Sequence, residues 1–260
     1  MSEALLALPF GLAIGLVVGG VGGGGAILAL PVLVYVLGEG VGPASTASLV
    51  VIAVAAAVGA GALALRGHVC WHLALTFSAP AAGGSLVGAI ANAAVSPQVL
   101  ILAFVPIMLV AAAATWRRAS GTSDDEEGEC PALSWKRILA AGFGVGGLTG
   151  FFGVGGGFLI VPVLTLWLGM SFRRAVATSL VILTLTGLAA LASHLAAGSG
   201  LNIPVTVALA CSTAVGALAG TMVGRRLPQQ HLGRTFAVVV TAIALFLLFD
   251  TLLLDGPPAG

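Results

Sequence analysis

Long uncharged apolar runs alternate with short clusters of charge along this chain. Ala175 to Ala197, Ile203 to Val223 and Val99 to Trp116 contain no Asp, Glu, Lys or Arg. Each run is near the ~20 residues that cross a bilayer as a helix. Backbone groups in hydrocarbon must be paired within their own segment, so the pattern predicts an all-α polytopic membrane protein. Composition agrees: 7% of residues are charged, against about 25% in soluble domains. The lipid bilayer is the first expected partner.

The ten Lys and Arg fall in four places: Arg66; Arg117, Arg118, Lys136 and Arg137; Arg173 and Arg174; and Arg225, Arg226 and Arg234. The connections 38–42, 92–98 and 198–202 hold none. Cytoplasmic loops collect Lys and Arg, and one topology puts all ten on that side. It predicts two out-and-back pairs, 72–91 with 98–116 and 175–197 with 203–224, and a last span, 235–254. The protein would sit in the cytoplasmic membrane with both termini outside. No basic n-region of a cleaved signal peptide is present; Glu3 is the only charge in residues 1–8. The expected units are a first transmembrane repeat, 1–116, a cytoplasmic linker, 117–136, whose "DDEEGE" run reads as solvated, and a second repeat, 137–260.

Between Arg137 and Arg173 the chain must leave the cytoplasmic side and return within about 35 residues, where two full spans need about 40. A glycine cluster, "GVGGG", lies at the centre. The economical expectation is a re-entrant hairpin: a half-helix in, a glycine turn near the midplane, and a half-helix back.

The same cluster occurs upstream. A shift of 131 positions carries Gly11, Gly15, Gly19, Gly22, Gly24, Gly25 and Pro31 onto Gly142, Gly146, Gly150, Gly153, Gly155, Gly156 and Pro162. The register continues from Gly38 to Gly169 and from "SLV" at 48–50 to "SLV" at 179–181. Residues 38–42 lack Lys and Arg while their counterparts hold Arg173, so the halves face opposite ways. Inverted repeats with broken helices at the midplane characterise secondary transporters. Each half is expected to hold one glycine-tipped hairpin and three full spans, with the two tips meeting at the centre.

The segments after the clusters read as helices whose N-termini point at those tips. A helix N-terminus offers unpaired N–H groups and partial positive charge, and glycine allows close backbone approach. Together they make an anion site that needs no buried Lys or Arg. The candidate residues are Gly22, Gly23, Gly24 and Gly25 in the first copy and Gly153, Gly155, Gly156 and Gly157 in the second. Ser45, Thr46 and Ser48, with Thr178 and Ser179, add hydroxyl donors. The wider-spaced series Gly11, Gly15, Gly19 and Gly216, Gly220, Gly224 reads as close helix packing instead. Pro31 and Pro162 are expected to kink the half-helices.

Other chemistry is thinner. Gly20, Gly22 and Gly25 fit G-x-G-x-x-G, but a dinucleotide site needs a strand before and a βαβ unit around it. Cys70, Cys130 and Cys211 are isolated and suggest neither a disulfide frame nor a zinc site. His68 and His72 read as interfacial residues. His194 lies within a predicted span and is the proton-coupling candidate; adjacent Ser193 points about 100° away and forms no dyad with it. No cofactor, no metal and no nucleic-acid partner is expected, and oligomeric state is unreadable.

"GVGGGFLIVPVL" followed by "ATSL", echoed by "GVGGGGAILALPVL" and "TASL", resembles the TauE/SafE sulfite exporter family over nearly the whole chain. Ala26, where the second copy has Gly157, departs from the pattern. The resemblance implies passage of small sulfur anions such as sulfite or organosulfonates across the cytoplasmic membrane. The leading expectation is a secondary transporter, an exporter of such an anion and not an enzyme. A passive anion channel is the alternative. An intramembrane enzyme would need a nucleophile and base converging at depth, and none is visible.

Overall fold

The computed structural model describes residues 2–23, 28–92, 97–119, 130, 134–152, 157–196 and 202–253. Among them every regular element is a helix. α1 (Ser2–Val21) is followed by the short α2 (Ala29–Pro31), which runs on as a π-helical turn, Val32–Val36. Three long helices follow: α3 (Val41–Ala64), α4 (Trp71–Asn92) and α5 (Pro97–Ala119). The second half repeats the series with α6 (Trp135–Phe152), α7 (Gly157–Pro162) and its π-helical turn Val163–Trp167, then α8 (Phe172–Ala196), α9 (Ile203–Arg226) and α10 (Gln229–Leu253). Three long helices per half match the expected full spans.

Packing follows the repeat. α1 lies along α9, and α6, its counterpart, lies along α4, the counterpart of α9. α3 packs on α8 and α5 on α10, each against its own equivalent. Glycine is what lets the first two pairs close. A Cβ on Gly15 would run into the Thr213 backbone of α9, and one on Gly19 into that of Ala217. In return, Gly216 and Gly220 leave no room beside Leu12 and Leu16 of α1. Gly142, Gly146 and Gly150 meet the Phe77, Ala81 and Ser85 backbones of α4 in the same manner. Lipid tails are as apolar as leucine, so close backbone approach of this kind supplies the van der Waals energy that holds membrane helices together.

The glycine series also fix direction. Gly11 meets Ser212 and Gly19 meets Ala217, so α1 and α9 run parallel from a common end. The first hairpin returns to that end: Glu39 Oε1 accepts from Nδ2 of Asn202, the N-cap of α9, at 2.6 Å. The second hairpin opens at the other end of α9, where Arg173 Nη2 donates to the Leu227 carbonyl at 3.5 Å. The hairpins therefore enter from opposite faces, and the halves are inverted. The basic residues lie in the connection after α3, the last turns of α5 and α9, the first turns of α6 and α8, and the second turn of α10. All of these are at the Arg173 face.

The two returning arms end alike. Pro31 and Pro162 cannot donate a backbone hydrogen bond, and a widened turn follows each one directly. Leu37 N–H donates to Val32 O and Leu168 N–H to Val163 O, both at 3.1 Å. Gly38 and Gly169, at φ +67° and +72°, then reverse the chain. Glu39 N–H reaches Leu33 O and Met170 N–H reaches Leu164 O, each at 3.0 Å. This is a glycine C-cap made one residue wider by the π-helical turn.

Two expectations need correction. The hairpins are not pairs of half-helices. α1 has 20 residues and α6 has 18, about 30 and 27 Å at the usual rise. Only the returning arms are short, because proline and the glycine cap stop them early. The cysteines are not all isolated either: Cys70, before α4, is disulfide-bonded to Cys130 of the linker, 60 residues on. Sequence spacing could not reveal this pair, since it depends on the linker folding back to the start of α4.

Gly146→Leu pushes a side chain into the Ala81 backbone, whereas Gly144 faces open space on the same helix. Gly146→Leu should cost about 1–3 kcal/mol or more, read as a lowered thermal midpoint in detergent. Gly144→Leu should leave that midpoint unchanged or raised.

Candidate functional site

The hairpin tips touch. A Cβ on Gly23 would collide with the Gly157 carbonyl, and one on Gly157 would lie 2.6 Å from Gly23 O and 2.8 Å from Leu183 Cδ2. Gly22 has φ +81°, and its missing Cβ would stand 2.9 Å from Ser179 Oγ and 3.1 Å from Val161 Cγ2. The first tip is thus seated on α7 and on the start of α8. α7 is described from Gly157 onward. Gly24, Gly25, Gly153, Gly155 and Gly156 lie outside the described residues.

The candidate hydroxyls are buried or half-buried, and the two serines use the same internal bond. Ser48 Oγ donates to Ser45 O, and Ser179 Oγ donates to Val176 O, each at 2.8 Å. The repeat extends to this side-chain detail. Thr178, fully buried, accepts at Oγ1 from Cys70 N–H at 3.2 Å. It therefore faces the α3–α4 connection, while neighbouring Ser179 faces the first tip. Thr46 is fully buried on α3, with Ser45 beside it half-buried.

His194 belongs to the last turn of α8; its side chain lies outside those described. His68 and His72 sit around the start of α4 at the Arg173 face, with His72 exposed. Among the described residues no three His, Cys, Asp or Glu side chains gather as metal ligands. A groove of roughly 380 Å³ between α5 and α7 is lined by Ile107, Val110, Leu159, Pro162 and Trp167 among others, and is almost wholly apolar. It has nothing to offer an anion, so the tips remain the candidate.

Sequence reasoning missed several supports. Phe158, at the start of α7, packs edge-on against Phe104 of α5 with centroids 5.1 Å apart, and Phe152, at the end of α6, packs on Phe104 at 5.0 Å. One ring thus clamps both sides of the second turn. Around the first turn the equivalent positions are Val21, Ile27 and, on α10, Thr235, so no rings stand there to build such a clamp. The Glu39–Asn202 bond, the Cys70–Cys130 bridge and the seat of Ser179 on Gly22 are equally long-range. Only the aromatic identity of residues 151, 152 and 158 was a visible signal.

A family model described as "Sulfite exporter TauE/SafE" matches residues 7–247. A "Probable membrane transporter protein" of Xylella fastidiosa strain Temecula1 is 29% identical over 240 residues, covering 91% of each chain. Its counterpart in strain 9a5c is 28% identical with the same coverage. "Probable membrane transporter protein YunE" of Bacillus subtilis strain 168 is 30% identical over 131 residues, covering 50% of this chain and 48% of its own. No solved structure matches.

Gly22→Ala should cost about 1–2 kcal/mol from the left-handed backbone alone, and more from the Ser179 hydroxyl, which its bond to Val176 O holds in place. Adding Ser179→Ala should recover only the contact part. Chemical unfolding in mixed micelles separates the two terms.

Proposed function

The chain belongs to the sulfite exporter TauE/SafE family and is a membrane transporter; from that premise we propose that it exports a small sulfur-containing anion, sulfite or an organosulfonate. The observation that carries the reading is the contact of Gly23 with Gly157, at the meeting point of two hairpins entering from opposite faces. In the proposed site the anion is held by backbone N–H groups of Gly23, Gly24 and Gly25 and of Gly153, Gly155, Gly156 and Gly157; Gly22, whose own N–H donates to Val18 O at 2.9 Å, shapes the tip instead. Ser45, Thr46, Ser48 and Ser179 frame it, while Thr178, expected among them, is turned away to Cys70 N–H.

Physical chemistry favours this arrangement over a cationic side chain. A buried Lys or Arg is costly at membrane depth and would hold a dianion too tightly to release it. Backbone dipoles provide partial charges at close range without a full charge to desolvate. Inversion then supplies the transport step, because rocking one repeat against the other exposes a fixed site to each face in turn.

Orientation follows from the Arg173 face. Its ten basic residues support a cytoplasmic assignment of that face by the positive-inside rule, which would leave both termini outside. An inside-negative potential then favours export, by about 2.3 kcal/mol per elementary charge for each 100 mV.

Purified protein in liposomes should move sulfite or an alkylsulfonate with saturable kinetics, accelerated by an outward-driving potential. Gly157→Leu, which forces the tips apart, should reduce that flux at least tenfold in protein that still reconstitutes. Absence of flux for every sulfur anion tried would sink the substrate reading. Single-channel currents would favour the passive channel.

A further inference from the structure

We propose that Cys70–Cys130 is a reversible thiol–disulfide switch that restrains the transporter when closed. The proposal rests on the orientation given above, which puts the pair on the cytoplasmic side. Disulfides there are as a rule transient and redox-sensing rather than structural.

The surroundings of both sulfurs support exchange. Cys70 stands at the N-terminus of α4, where Ala74 N–H donates to its carbonyl at 2.9 Å, and helix N-termini stabilise a negative sulfur. Cys130 has the Arg174 guanidinium 3.6 Å from its Sγ. Each sulfur, once released, thus finds positive charge in place, and stabilised leaving thiolates speed exchange and favour the reduced form. Access is one-sided: Cys70 is 2% exposed while Cys130 is open to solvent.

The chemistry balances with a small cytosolic thiol as the reductant. Its thiolate attacks Cys130 Sγ, the Cys70–Cys130 bond breaks, and Cys70 leaves as a thiolate at the α4 N-terminus. A second small thiolate attacks the outer sulfur of the mixed disulfide and releases Cys130 beside Arg174. Two small thiols become one disulfide, and two electrons and two protons pass to the protein pair. A small disulfide oxidant reverses both steps.

The closed bond reaches the site through one hydrogen bond. Cys70 N–H donates to Thr178 Oγ1, and Ser179, the next residue, seats Gly22. Closure therefore ties the linker between the repeats to the α3–α4 connection and to the start of α8. A bridge from the linker to one repeat at this face opposes the rocking that alternating access needs, so the oxidised protein transports more slowly.

The test uses the full chain in a Cys211→Ala background, which removes the free, exposed cysteine. In everted membranes treated with a mild disulfide oxidant, a maleimide–polymer reagent should add no mass. After reduction by dithiothreitol without denaturant, removal of the reductant and labelling in denaturant, it should add two labels. Arg174→Gln should slow reduction by a monothiol several-fold. Flux should fall several-fold on oxidation and recover on reduction, and Cys130→Ser should abolish that response while keeping the reduced-state rate. Thiols that stay labelled after oxidation, a bond that opens only in denaturant, or flux indifferent to the bond would each overturn the proposal. The labelling arms read the bond directly, so they stand even if no sulfur anion is transported.

Discussion

An unpaired peptide group inside a bilayer costs several kcal/mol, yet this chain's apolar segments are broken after α1 and before α7. Everything else in the fold serves to bury those interruptions in protein. The tips at Gly23 and Gly157 cover one another backbone to backbone. The entering arms are shielded by long parallel contacts, α1 on α9 and α6 on α4. Those contacts close because a glycine stands wherever the backbone of the facing helix comes nearest, as Gly15 does at Thr213 and Gly146 at Ala81, and its missing side chain lets backbones approach. Glycine thus has two separate uses among the described residues: spaced at four residues it glues helices, and at Gly23 and Gly157 it lets the tips touch.

The returning arms show how a broken helix is ended without loss of pairing. Proline removes one donor, the π-helical turn shifts the bonding by a residue, and Gly38 or Gly169 caps the carbonyls. The two copies agree bond for bond, down to the serine hydroxyls at 48 and 179. Agreement at that level fits a site made from both halves.

The halves are nevertheless unequal. Phe104 clamps the second turn through Phe152 and Phe158, while the first turn is seated on α7 and Ser179. The first hairpin is also fastened at its open end, where Glu39 meets Asn202. The two hairpins are thus held by different sets of contacts.

The sequence alone determined the membrane class, the inverted repeat and the common face of the ten basic residues. Each depends on composition, charge sidedness or local backbone preference, which are carried by neighbouring residues. Only the tertiary structure decided that α1 and α6 are nearly bilayer-long and that Thr178 turns towards Cys70 while Ser179 turns towards Gly22. It also decided that Cys70 pairs with Cys130. Residues 60 apart meet according to how the linker and helices pack, and adjacent hydroxyls on one helix part by about 100°. No local pattern encodes which neighbour will stand on either side.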